Sequence, residues 1–375
     1  MKYLCHIIVT ILLCFLFINC SPDVLISDDV LSEDISQEEG DGSGSDTDIS
    51  ADDEDYEAAG PSSSSDEDYD AAGNDDDGET STETSPEVVT PVTVAFIGDQ
   101  GLYEDAQDVL TLILNEGADM VLHQGDFDYE DDPDAWDDLI TDILGDDFPY
   151  FASVGNHDVA MWTGYQDKLE ERLTKFDGVA CDGDLGAMSA CTYKDIYFIL
   201  SSVGTIGDDD DHADYIEEEL SKDDSIWRIC SWHKNQTLMQ VGSKSNATGW
   251  GVYEACREGG AIIATAHHHG YSRTHLMSDF ENQVISSTSS TLVLDEGETF
   301  AFVSGLGGAG IYGQDDDLAD DDWWASVYTS EQSATHGALF CTFGVNNTEN
   351  EASCYFKNID GYIIDEFDLV SQVNL

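Results

Sequence analysis

The stretch AIIATAHHHGYSRTH, residues 261–275, sets three consecutive histidines directly after an apolar run, in a chain with ten histidines altogether. Imidazole is a ligand for borderline metals, and residues two apart on a strand or tight turn point the same way. His267 and His269 could therefore face one site while His268 points elsewhere. Alone, the triplet is more simply an exposed polar turn, or histidines hydrogen-bonded in a loop. Four earlier apolar runs also end in metal-competent residues: GDQG (98–101), GDFDY (125–129), GNHD (155–158) and WH (232–233). Singly, Gly-Asp is a turn whose aspartate accepts backbone hydrogen bonds, Asn-His-Asp a helix cap, and Trp232-His233 a core aromatic beside a satisfied histidine. Five such endings in order are hard to obtain as turns, and together they supply the mixed oxygen and nitrogen donors that a pair of metal ions requires.

The segments that must position these clusters alternate between apolar β-rich runs and helical stretches, the pattern of a layered α/β fold with crossover helices. VTVAFI, ADMVLHQ, PYFASV, IYFILSS, IWRICSW and AIIATA read as strands; AQDVLTLILNEG, PDAWDDLITDILG, YQDKLEERLTKF, HADYIEEELSK and WGVYEACREGG read as the helices between them. After residue 290 the chain turns to β, with LVLD, TFAFVSG, ALFCTF, ASCYFKNID and YIIDEFDL separated by turns. In open α/β sheets the carboxyl ends of strands line the ligand crevice, so the five clusters can converge although 168 positions separate Asp99 from His267.

Composition divides the chain of 375 residues into three parts. Residues 1–20 carry one lysine and then an apolar core too short to span a membrane comfortably, which reads as a secretory signal peptide. An uncleaved signal anchor is the alternative, and Cys20 before Ser21 gives only a poor lipoprotein site. Residues 21–90 contain 25 acidic residues and no Lys or Arg, with DEDYEAAG at 53–60 returning as DEDYDAAG at 66–73. Such a segment buries too little apolar surface to order itself and is expected to be a disordered acidic stalk.

Residues 91–375 form one expected domain. Of the chain's 80 acidic residues 55 remain there, against 11 bases because Lys2 is the one base outside it, for a formal charge of −44. Self-repulsion on this scale is tolerable in high salt or with divalent cations such as calcium on the acidic runs DDDD (208–211) and DDDLADDD (315–322), although a solvated acidic surface explains those runs equally well. No basic surface for nucleic acid exists. Six cysteines remain beyond the signal segment, an even count without CxxC spacing, which favours disulfides: Cys181–Cys191 and Cys341–Cys354 locally, and Cys230 with Cys256. Sequons stand at Asn235, Asn246 and Asn346, the first too near the clusters to suit a glycan.

The motifs resemble those of the calcineurin-like metallophosphoesterases and, within them, the purple acid phosphatases, whose pattern is GDxG, GDxxY, GNH followed by Asp or Glu, VxxH, and GHxHxYxR. GDQG, GDFDY and GNHD match outright; CSWH keeps the histidine but not the valine, and AHHHGYSR differs in its first residue, Ala266. Many metallophosphoesterases carry a histidine two residues after the first aspartate, where this chain has Gly101. The resemblance covers residues 92 to about 370 and implies an α-β-β-α sandwich with a β-rich C-terminal part.

It further implies that Asp99, Asp126, Tyr129 and His269 bind metal one, while Asp126, Asn156, His233 and His267 bind metal two, with Asp126 bridging. His157 would contact the phosphate and protonate the leaving oxygen, Asp158 would orient it, and His268 would lie near the substrate or stand by without a role. Tyr271 and Arg273 would support the loop. A phenolate ligand favours Fe(III) at metal one, with Fe(II), Zn(II) or Mn(II) at metal two. The expected protein is thus a secreted or cell-surface phosphatase acting on phosphomonoesters. A phosphodiesterase or nucleotide pyrophosphatase using the same metals is the alternative within enzymes, and a non-catalytic cation-binding surface protein the alternative outside them.

Overall fold

The computed structural model describes residues 88–375. The expected signal segment 1–20, and all but the last three residues of the acidic stretch 21–90, lie outside the described residues. The described chain opens with β1 (Val92–Ile97), α1 (Glu104–Glu116), β2 (Met120–His123), α2 (Pro133–Leu144), β3 (Tyr150–Ala152) and α3 (Trp162–Leu173). It continues through β4 (Ala180–Asp184), β5 (Met188–Tyr193), β6 (Ile196–Ser201), α4 (Asp209–Lys222), β7 (Trp227–Ser231), α5 (Gly251–Glu258) and β8 (Ile262–Thr265). The β-rich remainder holds β9 (Tyr271–Thr274), β10 (Leu276–Asp279), β11 (Val284–Ser287), β12 (Thr291–Leu294), β13 (Ala301–Ser304), α6 (Asp316–Ala319), β14 (Trp324–Tyr328), β15 (Gly337–Phe343), β16 (Glu351–Asn358) and β17 (Ile363–Ser371).

Helix ends follow local chemistry. Asp132 caps α2 by accepting from Ala135 N at 3.1 Å, with Pro133 at the first helical position, where its missing N–H costs nothing. α1 stops at Gly117, whose φ of 71° lets its N–H turn back to the last carbonyls. The two acidic runs open helices: Asp208 caps α4 and Asp315 caps α6, and the aspartates that follow each cap fill the positive first turn.

Two sheets result. The first has the order β12-β17-β16-β15-β1-β2-β3, with β1, β2 and β3 parallel and β15, β16 and β17 joined as an antiparallel meander. The second has the order β14-β9-β13-β8-β7-β6-β5-β4, with β6, β7, β8 and β13 parallel at its centre. Aromatic pairs join their inner faces: Phe96 to Phe302 at 5.2 Å, Phe151 to Phe198 at 4.7 Å and Trp227 to Phe343 at 4.8 Å between ring centroids. Along the central strands successive residues serve opposite faces, with Phe198, Ile229 and Ile262 in the core between the sheets and Ile199, Cys230 and Ile263 under α4 and α5. Both faces are covered, which is why these strands read as unbroken apolar runs. The layered α-β-β-α sandwich expected from the sequence is the observed architecture.

The three disulfides pair as the spacing suggested. Cys181–Cys191 and Cys341–Cys354 join residues directly opposite in antiparallel ladders, at 4.1 Å between Cα atoms in each case. Cys230–Cys256 ties β7 to α5 at 6.4 Å.

Candidate metal centre

All the ligand-competent clusters lie just beyond the carboxyl ends of β1, β2, β3, β7 and β8, so the parallel strands of both sheets deliver them to one place. Asp99 and Asp126 follow the first two strands by two and three residues, and their N–H groups interlock the turns: Asp99 N donates to Gly125 O and Gln100 N to Asp126 O, both at 3.0 Å. Asp99, Asp126, Tyr129 and His267 all have positive φ, between 57° and 70°. Left-handed backbone costs an L-residue about 1–2 kcal/mol. Four such residues at one spot mark a site whose surroundings enforce ligand direction over backbone comfort.

Two half-clusters emerge. In the first, Tyr129 Oη donates to Asp99 Oδ1 at 3.0 Å and faces His269 Nε2 at 3.1 Å, which is itself 3.3 Å from Asp99 Oδ1. In the second, His233 Nε2 stands 3.1 Å from Asp126 Oδ2 and 3.1 Å from His267 Nδ1, and donor atoms of Asp126, His233 and His267 all lie within 4.8 Å of one another. His267 N donates to Asp99 Oδ2 at 2.9 Å and joins the halves. Asn156, which precedes the residue whose N–H bonds Asp126, has a side-chain oxygen that is buried and has no hydrogen-bond partner.

Backbone carbonyls fix the imidazoles. His233 Nδ1–H donates to Gln124 O at 2.7 Å and His269 Nδ1–H to Gly310 O at 2.6 Å, which leaves each Nε2 aimed at the cluster. This is the outer hydrogen bond that metal-ligating histidines use to hold tautomer and ring orientation. His269 is further clamped by Tyr312, stacked at 4.0 Å and 7°. Burial alone would push the His233 imidazole down, but the Asp126 and Asp99 carboxylates carry it up to about 9. Burial, with the charges of Asp99 and Asp126, raises the Tyr129 phenol well above its ordinary value. The orphaned Asn156 oxygen, the carbonyl-fixed histidines and the strained aspartates are what two cations would satisfy, so the residues present fit a binuclear centre.

Close packing accounts for two glycines. A Cβ on Gly155 would fall 2.2 Å from Asp126 N, and one on Gly98 would fall 2.3 Å from the Ala266 Cβ. Ala266, where the resembling family has glycine, thus sits against Gly98. Gly101 has nothing within 4 Å of a built Cβ and offers no donor.

Two expected roles are corrected. Asp158 does not orient the His157 ring: its Oδ2 accepts from Gly155 N at 2.6 Å and Asp126 N at 2.9 Å, and its Oδ1 from Phe127 N at 2.8 Å. It is a buried knot holding the second and third ligand turns together. Burial and the Asp126 charge push its carboxyl up to about 7, against the three amides that favour its charged form. His268 is buried, donates Nε2–H to Gly313 O at 2.9 Å, and offers no surface to a substrate. His157 is exposed at the mouth, its ring centroid 4.7 Å from that of Tyr129 and its N–H given to Asp126 Oδ1 at 2.8 Å.

Tyr271 and Arg273 do support the loop, through one residue that the sequence did not single out. Asp365 of β17 accepts from Tyr271 Oη at 2.7 Å and takes Arg273 in a bidentate pair at 2.6 and 2.9 Å, clamping β9 to the opposite sheet. Asn235 is fully buried, with Nδ2 given to Ala266 O and Oδ1 accepting from Tyr253, so it shapes the site and is closed to a glycan. The exposed Asn246 and Asn346 carry the other sequons. A cleft of about 810 Å³ opens at the opposite ends of the strands beside Val92, Ile196 and Trp227 and holds none of these ligands.

The two-sheet sandwich is a metallophosphoesterase fold, and the residues at its strand ends are candidate ligands for a pair of metal ions. The calcineurin-like phosphoesterase family model matches residues 92–271, and the chain's motifs resemble those of that superfamily, most of all those of the purple acid phosphatases. Among solved structures it is similar to a purple acid phosphatase from yellow lupin (Lupinus luteus) seeds, at 16% identity and a TM-score of 0.52 over 75% of this chain. It spans about half, 54%, of that protein's length. It is also similar to GAP50, described as the anchor in the inner membrane complex of Plasmodium, at 14% identity and a TM-score of 0.50 over 75% of this chain and 89% of that one. No curated protein matches the sequence.

Proposed function

We propose that this protein is a secreted or surface phosphatase that hydrolyses phosphomonoesters at a centre of the purple acid phosphatase type. The observation that carries the reading is the convergence of six side chains, Asp99, Asp126, Tyr129, His233, His267 and His269, with two imidazoles locked by carbonyls. The first three with His269 would hold one cation; Asp126 with Asn156, His233 and His267 would hold the other. When bound, two such cations acidify a water nucleophile and stabilise charge on the attacking and leaving oxygens. The protein's own residues do the rest. His157, exposed beside the cluster, donates a proton to the leaving oxygen; Asp158 holds the turns that place Asp126 and Asn156; the carbonyls of Gln124 and Gly310 keep His233 and His269 in register.

Tyr129 supports iron at metal one. Its proton is held by burial and two carboxylates, and a hard trivalent ion is the partner able to displace it. The apolar segment at 1–20 and the three disulfides support export.

Purification without chelator, metal analysis, and assay on a panel of mono- and diesters test the proposal. Two metals per chain with preference for monoesters is the expected result, and Asp126→Ala should lose both metals and all hydrolysis. Faster cleavage of diesters would move the assignment to a phosphodiesterase, and an inert two-metal protein would remove the enzymatic reading.

A further inference from the structure

The domain holds 55 acidic residues and 11 bases, so any lysine without a carboxylate partner is conspicuous. Nine of the 11 bases have an Asp or Glu oxygen within 4.0 Å. The two without one among the described residues are Lys234 and Lys244. Both belong to the loop between β7 and α5 that begins with the ligand His233. Both are half-buried, and the acidic charge that reaches Lys234 is that of Asp126, a residue committed to the metals. The Lys244 ammonium lies 5.0 Å from the centroid of Tyr312, the ring that stacks on His269 at 4.0 Å, so it stands one aromatic ring away from the cluster rather than inside it.

Half-burying two cations close to one another without a counter-ion is unfavourable, and a neighbouring glutamate would have been easy to find on so acidic a surface. With 55 acidic residues against 11 bases, the domain as a whole repels an approaching phosphate ester, whereas the two lysines beside bound cations would make a local positive focus. We infer that Lys234 and Lys244 form an anion subsite beside the metal centre that takes a second phosphate of the substrate, so that the preferred esters are organic diphosphates of the nucleoside diphosphate class. This rests on the proposed phosphoester hydrolase activity and names its substrate class.

The test uses the metal-loaded full chain and Lys234→Gln, Lys244→Gln and the double variant. For the double variant, KM for a nucleoside diphosphate should rise about tenfold or more, the size of two lost charge-assisted contacts, while KM for a simple aryl phosphate changes less than about threefold. Metal content and kcat should be unchanged. Equal losses on both substrates would overturn the inference by showing the lysines on the scissile phosphate itself, and unchanged kinetics on both would overturn it outright. Should the metal-loaded wild type hydrolyse no ester, the activity reading fails separately, and binding of inorganic tripolyphosphate by calorimetry decides for the lysines. Binding about tenfold weaker in the double variant supports the subsite; equal binding removes it.

Discussion

Asp158→Asn separates a structural knot from a catalytic partner. Asp158 gives one carboxylate to three buried amides, those of Gly155, Asp126 and Phe127. An asparagine can place its single oxygen where Oδ2 now accepts two of them, but its NH2 then faces the Phe127 N–H. One hydrogen bond to a charged acceptor is lost and one buried donor is orphaned, a cost of about 2–3 kcal/mol. In a domain of this size that lowers Tm by about 4–10 °C. Because Asp126 and Gly155 belong to those turns, the second metal should also be held more weakly. Alanine leaves all three amides without their acceptor and should cost about 3–6 kcal/mol, a large share of the stability of an ordinary domain. The assay is thermal unfolding with and without added metal, metal content after gel filtration, and kcat at saturating metal. If Asp158→Asn unfolds at the wild-type temperature and keeps both metals but loses turnover a hundredfold, Asp158 acts on His157 after all and the knot is wrong.

Three further outcomes are expected. Tyr129→Phe should keep the ring, bind the trivalent metal more weakly and abolish the visible charge-transfer absorption expected of iron-loaded protein; an unchanged spectrum would make Tyr129 a packing residue. His157→Ala should retain two metals per chain and lose about a hundredfold in turnover, since its ring is exposed at the mouth and only its backbone touches Asp126. Zinc affinity of the metal-free protein should rise with pH by about tenfold per unit up to about 9, because His233 carries a proton below that value that the metal must expel. Above 9 the dependence should level off, and a flat profile from pH 6 to 9 in a zinc titration would contradict the His233–Asp126 pairing.

The strands that deliver the ligands were legible because they are buried on both faces and announce themselves as apolar runs, and because five of them in order end in metal-competent residues. β9, β10, β11 and β14 were not. YSRT, LMSD, VISS and WASVY are short and without clean alternation, and they are strands because neighbouring strands or a paired edge supply their hydrogen bonds. The histidines were visible, but the carbonyls that aim them were not, since a carbonyl carries no sequence mark: Gly310 lies 41 positions from His269 and Gln124 lies 109 from His233. The role of Asp158 was misread for a related reason. A carboxylate next to a catalytic histidine suggests a partner for its ring, whereas positive φ at Asp126 turns three amides toward Asp158 instead, and nothing in the sequence reports φ. Lys234 and Lys244 stand out only when every other base is seen to be paired.

The division of donors between the sheets bears on which ions the centre would accept. Oxygen comes from the first sheet, through Asp99, Asp126, Tyr129 and Asn156, and nitrogen from the second, through His233, His267 and His269. Neither sheet alone makes either site. Metal one would meet Asp99, Asp126 and an ionised Tyr129 against one imidazole; metal two would meet Asp126 alone among anions, with Asn156 and two imidazoles. Three negative donors match a trivalent hard ion, and one negative donor shared with a neighbour matches a divalent ion of borderline character. In the metal-free chain protons stand in for that charge, the phenol donating to Asp99 and the His233 imidazolium pairing with Asp126. The asymmetry is therefore built into the donors before any ion arrives, and it depends on Tyr129, since Gly101 offers no donor.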